Sequence, residues 1–200
     1  MGKYYYRIAN KVESEIKIKR SKFITHLKYV EDINSAKDFI SKITSQYMSA
    51  NHNCWAYIVG KSAETYHSSD NGEPNGTAGK PMLHTLQKHN LTNIVAVVTR
   101  YFGGVKLGIR GLIDAYSLAI QTAVESTKLH KIVDKKNYEI STDYSFNESL
   151  KYQIEKLEGS IESVDYSDVV KINISIEKKK CSDLDNYLVE MQNAGKLNIV

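Results

Sequence analysis

Two cysteines, Cys54 and Cys181, stand far apart in a chain of 200 residues. That scarcity excludes a disulfide scaffold and a paired-cysteine zinc knuckle, and it fits a reducing compartment. Proline is as rare: Pro74 and Pro81 are the whole complement, and both fall in one short stretch. No apolar run approaches the ~20 residues that a membrane-crossing helix needs, so no membrane partner is expected. The opening MGKYYYRIAN lacks the apolar core of a secretory leader, and Tyr6 breaks the myristoylation pattern. A cytoplasmic protein is the expectation. The Walker A pattern is missing, because Pro74 stands where its first glycine belongs and Pro81 follows Lys80; GxGxxG is missing too. A conventional ATPase or dinucleotide enzyme is therefore not expected. His67, His84 and His89 lack the HxxxH or HExxH spacing of a zinc site. Neither a metal nor a cofactor is expected.

What is present is ordinary in bulk and uneven in detail. Hydrophobic residues make up 42% and charged residues 25%, which rules out wholesale disorder. The formal net charge is +4, but it is split. Up to Asp134 there are 18 basic and 11 acidic side chains; from Lys135 onward there are 9 and 12. A basic part joined to a mildly acidic part suggests two units, 1–134 and 135–200, with the first more apt to meet a polyanion. Solubility alone accounts for the same charge. Seven of the eleven glycines lie between Gly72 and Gly111, so unusual backbone is concentrated inside the first unit.

Periodicity supplies the elements. Residues 4–8, 12–20 and 22–30 read as strands, with Ile16 and Ile18 alternating with Lys17 and Lys19. Asp32 is placed to cap a helix over 33–48 whose stripe is Ile33, Ala36, Ile40, Ile43 and Tyr47. CWAYIV (54–59) and IVAVVT (94–99) are apolar on both faces, as central strands are; residues 63–69 form a hairpin with the first. A helix is expected over about 81–89, with Pro81 in its first turn, and a longer one from the second glycine loop to about Lys128. The second unit reads β-α-β-β-α-β, with strands over 138–144, 160–166, 170–176 and 197–200. That order is the ferredoxin-like split βαβ arrangement, and the polar run DKKN (134–137) is its natural boundary.

The two glycine loops carry the functional argument. DNGEPNGTAGKP (70–81) and RYFGGVKLG (100–108) each open a helix. Glycine permits positive φ and close backbone approach, and helix starts offer unpaired N–H groups that receive anions. Gly76, Gly79, Gly103 and Gly104 therefore suggest backbone access, and Thr77 a helix cap. Lys80, Arg100, Lys106 and Arg110 are the flanking cations. Together they describe a concave receptor for phosphate groups; plain tight turns with solvated lysines describe the same residues.

NHNCWAYIVG (51–60), SDNGEPNGTAGKPML (69–83) and VTRYFGGVKLGIRGLIDAYSLAI (98–120) strongly resemble the YigZ/IMPACT family, and IKRSKFITHL (18–27) resembles that family's opening motif. The resemblance covers essentially the whole chain in the bacterial two-domain form. It implies an α+β protein: an N-terminal domain of the ribosomal protein S five, domain-two-like class, and a C-terminal ferredoxin-like domain similar to domains of elongation factor G. It also implies a role in translation. The eukaryotic members compete for a protein that activates a translation-inhibiting kinase, whereas the bacterial members are thought to bind nucleic acid or the ribosome. Three residues depart from the family pattern. Asn71 replaces the second aspartate of DDGEP, Arg110 replaces a glycine, and Asp114 replaces an arginine.

Three functional readings follow. The preferred one is a non-catalytic ribosome- or nucleic-acid-binding protein acting on translation, with the cations neutralising phosphates and Tyr101 and Phe102 stacking on bases. The second is an enzyme on a small phosphorylated or nucleotide substrate, with Asp70 and Glu73 as a carboxylate pair; structural ion pairing of those two with Arg100 or Lys80 is the bland alternative. The third is a protein–protein regulator of translational stress. His52 and Cys54, two apart on a strand, permit a Cys–His nucleophile, although a buried thiol usually packs as a small hydrophobe. In the second unit, Lys171, Asn173 and Ser175 offer no stacking aromatic, and the RNP1 pattern is absent.

Overall fold

Residues Tyr4–Val200 are described by the computed structural model; the part of the start-of-chain reading that falls on Met1–Lys3 lies outside them. The chain divides into two compact units, Met1–Ile132 and Val133–Val200. Among the described residues no helix is long and apolar enough to cross a membrane.

The first unit is built on a five-stranded antiparallel sheet. Its strands are β2 (Val12–Ile18), β3 (Ser21–Tyr29), β4 (His52–Val59), β5 (Thr65–Ser69) and β6 (Ile94–Tyr101), in the spatial order β2-β3-β6-β4-β5. β4 and β6 are apolar on both sides because helices cover both faces of the sheet. On one face α1 (Ile33–Gln46) sets Ala36, Phe39 and Ile43 against Tyr57, Val59, Val95 and Val97. On the other, α2 (Gly79–Lys88) and α3 (Gly108–Glu125) pack Met82, Leu86, Tyr116 and Ile120 onto Phe23, Leu27, Cys54 and Ala56. β2 is an edge strand, and its alternating exposure reflects one covered side. The registers pair Arg100 with both Phe23 and His52, which brings the second glycine loop to the ends of β3 and β4.

Several boundaries differ from the sequence reading. Helix α1 ends at Gln46, with the Asp32 side chain accepting from the Ser35 amide as its cap. β5 starts at Thr65, after a turn in which Gly60 and Ala63 both take positive φ. α2 begins at Gly79 rather than Pro81. α3 stops at Glu125, and a strand that periodicity did not reveal, β7 (Leu129–Ile132), runs antiparallel to β1 (Tyr5–Ile8).

The second unit shows the β-α-β-β-α-β order: β8 (Lys135–Thr142), α4 (Tyr144–Lys156), β9 (Ser160–Tyr166), β10 (Val170–Glu177), α5 (Cys181–Asn193) and β11 (Leu197–Ile199). Its antiparallel sheet has the order β11-β8-β10-β9. Ile140, Ile172, Ile174, Leu150, Ile154, Leu184 and Leu188 close the core between the sheet and the two helices. Within the polar run at 134–137, Lys135, Lys136 and Asn137 belong to β8 and pair with Glu177, Ile176 and Ser175.

Candidate functional site

The first glycine loop leaves the hairpin edge at Asp70 and turns sharply through Asn71 and Gly72, which take φ +43 and +84. The turn lets the Asp70 carboxylate reach forward to the start of α2. Oδ2 accepts from the Gly76 amide at 2.8 Å, and Oδ1 accepts from the Ala78 and Gly79 amides at 2.9 and 2.8 Å. Burial acts to raise the pKa of this carboxyl, but the three amides together outweigh it and hold the pKa below its ordinary value. Gly79 is required by crowding, since a Cβ there would lie 2.8 Å from the Ser69 backbone. The expectation that Gly76 and Gly79 offer amides to a phosphate is thus corrected, because the chain's own carboxylate occupies them. Thr77 is corrected too. It does not cap α2; its hydroxyl donates to the Pro74 carbonyl at 2.7 Å. Lys80 is exposed on the first turn of α2.

Arg100 and Glu73 form a buried pair behind that loop. Arg100 is 5% exposed and Glu73 8%. Arg100 Nη1 donates to Glu73 Oε1 at 2.6 Å, and the Tyr116 hydroxyl donates to the same oxygen at 2.9 Å. The guanidinium lies 5.5 Å from the Phe23 ring centroid and 5.6 Å from that of Phe102. Arg100 is therefore a clamp between the two glycine loops and the sheet, not a surface ligand for phosphate. The Cys54 thiol donates to the Asp70 carbonyl at 2.8 Å and lies 3.3 Å from the Tyr116 hydroxyl. Burial pushes its pKa up to about 12, so it is held as a thiol, unsuited to nucleophilic attack. His52 instead bonds the Asn71 carbonyl through Nδ1 at 2.9 Å. The carboxylate pair is likewise not assembled as a pair: Asp70 closes a loop, and Glu73 neutralises an arginine. Among the described residues no group of three or more histidine, cysteine or acidic side chains is placed to hold a metal ion.

The second loop is built differently. Gly103 lies against the β2–β3 turn so closely that a Cβ would fall 2.0 Å from the Arg20 carbonyl oxygen. Its amide donates to Ser21 Oγ at 3.2 Å, and the Phe102 amide donates to Asn51 Oδ1 at 2.8 Å. Gly104 and Gly108 take φ +81 and +75 in open space. Beyond them α3 starts at an N-cap, Leu107, that supplies no side-chain cap, and the first turn holds no acid. Lys106 and Arg110 are exposed beside that start; Arg110 Nε is 3.4 Å from Asp114, an exposed pairing of little strength. Lys19 and Arg20, exposed on the adjoining turn, were not singled out as site residues in the sequence. The close approach of Gly103 to the Arg20 backbone brings that turn to the loop. Tyr101 is half-buried at the end of β6, opposite Lys22, while Phe102 is exposed.

The two loops do converge. Glu73 and Pro74 from the first, and Phe102, Lys106, Leu107 and Ile109 from the second, line one pocket of about 400 Å³. Its walls are mostly apolar and its charge sits on the floor and at the rim.

The Impact N-terminal domain family matches residues 19–124, which span both loops. The chain belongs to the IMPACT family. IMPACT family member YvyE of Bacillus subtilis is 36% identical over 198 residues, covering 98% of this chain and 89% of that protein. IMPACT family member YigZ of Escherichia coli is 30% identical over 185 residues, covering 92% and 90%. The rat Protein IMPACT matches a shorter stretch, 36% over 95 residues, which is 45% of this chain and 29% of that protein. A crystal structure of a hypothetical protein superposes with a TM-score of 0.63 at 27% identity, covering 100% of this chain and 98% of that one. The IMPACT likeness to the bacterial relatives thus extends through both units, and the mixed α+β architecture is shared with a solved structure along its whole length.

Proposed function

We propose that this chain is a non-catalytic binding protein of translational control, acting in the cytoplasm and docking on RNA of the ribosome through the second glycine loop. One observation carries the reading: the start of α3 has no side-chain cap or acidic residue of its own, and it lies in a neighbourhood of four exposed cations, Lys19, Arg20, Lys106 and Arg110. Backbone amides at a helix start and mobile cations beside them are what a phosphate backbone engages. Family membership supports the translational setting, since the resemblance described above implies it. The element orders of the two units support the finer domain classes that the same resemblance implies.

Co-sedimentation with purified ribosomes across a salt series tests the reading. Binding should weaken with salt at a slope of roughly −0.7 to −0.9 per phosphate neutralised. Lys106→Ala/Arg110→Ala should weaken it at every salt concentration. Association that is absent, or indifferent to salt, overturns it.

A second reading has its own observation. Phe102, Val105 and Ile109, on the same loop, are exposed apolar side chains, which suit a protein partner in translation control. Ribosome association that survives nuclease digestion but is lost in Ile109→Asp would favour that partner over RNA.

A further inference from the structure

We propose that the pocket between the two loops is a binding site for a small carboxylate with an apolar body. The argument starts at the Arg100 guanidinium, which lines the pocket although the residue is only 5% exposed. Its work as a clamp uses two of the three nitrogens: Nη1 donates to Glu73 Oε1 at 2.6 Å, and Nη2 reaches Ser21 Oγ at 3.4 Å. The third, Nε, is buried and has no acceptor among the described residues. Buried donors are almost always paired, because a donor taken out of water without a new acceptor is costly. A ligand oxygen seated against the guanidinium supplies that acceptor. A second, independent feature lines the same space. Lys106, Leu107, Gly108 and Ile109 bring the start of α3 into the wall. That helix runs for 18 residues, with no side-chain cap and no acid in its first turn, so its first amides suit an anion. Two separate elements, β6 and α3, thus deliver donors to one pocket.

Charge and wall decide the class of ligand. The fixed charges of the lining are Glu73, Arg100 and Lys106. Glu73 neutralises Arg100, which leaves Lys106 and the partial charge of roughly +0.5 at a helix start. A carboxylate, singly negative, matches that sum. The dianion of a phosphate monoester exceeds it and meets Glu73 as a like charge. Pro74, Phe102 and Leu112 make the remaining wall largely apolar, which favours a hydrocarbon or aromatic body behind the carboxylate and gives a bare ion little to hold. The volume of about 400 Å³ lies in the range of ~300–1,000 Å³ usual for small-molecule sites. One consequence rests on the ribosome reading, while the site itself does not: if RNA also uses the start of α3, the carboxylate and RNA exclude one another.

Nitrogen–proton NMR of the full chain tests the site with 3-phenylpropionate, its neutral amide 3-phenylpropionamide, propionate and phenethyl phosphate. The first probe should shift the backbone amides of 106–112 and the Arg100 Nε–H. It should bind about tenfold or more tightly than the amide and than propionate, and at least as tightly as the phosphate. Lys106→Ala should weaken 3-phenylpropionate by about threefold and leave the amide unchanged. Equal affinity for acid and amide, tighter binding of the phosphate, or titrations that leave either the start of α3 or the Arg100 Nε–H unmoved overturn the carboxylate site. Ribosome co-sedimentation is read separately, without probe and with saturating 3-phenylpropionate. Probe binding with unaltered ribosome association keeps the carboxylate site and moves the ribosome contact away from α3. Ribosome association without probe binding keeps the ribosome reading and removes the site.

Discussion

The two glycine loops look alike and end differently. Each combines positive-φ glycines with a helix start, each has a lysine beside it, and each is as good a phosphate receptor on paper. In the first, Asp70 lies six residues before Gly76 and nine before Gly79, and its carboxylate folds forward to take their amides. In the second, the positions before α3 hold no acid, and the helix start stays without a side-chain cap. Glycine density marks where amides gather. Whether they are free is decided by the nearest carboxylate, and a loop that carries its own anion is a closed structure rather than a receptor.

The sharpest way to break this contrast is Arg100→Ala. If Arg100 were a phosphate ligand of an open receptor, the variant would fold normally and bind weakly. As a clamp buried with Glu73 and flanked by Phe23 and Phe102, its removal leaves an unpaired carboxylate in the interior. That should cost about 3–5 kcal/mol, read as a fall in the urea midpoint. An unchanged midpoint would return Arg100 to the surface as a candidate phosphate ligand.

A smaller effect is expected at Asp70. Asp70→Asn keeps the shape and one acceptor oxygen but turns an NH₂ group toward an amide, giving a loss of roughly 1–2 kcal/mol. The pH dependence has a definite sign. The folded pKa lies below the ordinary carboxylate value, so the folded state binds the proton less readily than the unfolded chain. Asp70 therefore contributes stability above the ordinary range near ~3.9, and that contribution is lost as pH falls through the folded pKa. Subtracting the acid limb of Asp70→Asn from that of the unaltered chain should expose this term. Two superimposable limbs would show that the amides are not held by charge.

Much of this was legible in advance, and the rest was not for physical reasons. Period-two alternation gave β10 nearly to the residue, and the doubly apolar runs gave β4 and β6, because burial on one or both faces writes itself into local sequence. The tight turns at Asn71-Gly72 were legible because positive φ restricts residue choice. Arg100 was placed among the phosphate-facing cations, although its pairing with Glu73 was the stated alternative, because its burial depends on register: β3, β6 and β4 must align before Phe23 and His52 flank it, and no local pattern states that alignment. The β1–β7 pairing joins segments more than a hundred positions apart and is equally silent. Asp70 was read as half of a carboxylate pair or as an ion-pair partner of Arg100 or Lys80, but its reach to three amides required the path of the loop. The family motifs identified the chain without saying which of their groups face inward.

The finest comparison sets Lys80 against Lys106, the lysine of the closed loop against that of the open one. Both are exposed, and neither substitution by alanine should move stability by more than about 0.5 kcal/mol. Binding should separate them. Lys106→Ala removes a cation beside amides that are themselves free to hold the same phosphate, so it should weaken RNA affinity and reduce the salt slope by about 1. Lys80 stands beside amides already neutralised by Asp70, whose negative charge repels a second anion at short range. Lys80→Ala should therefore leave the slope unchanged. Equal losses from the two lysines would mean that the surface is read only as diffuse positive charge, and that the open and closed states of the loops are irrelevant to what binds.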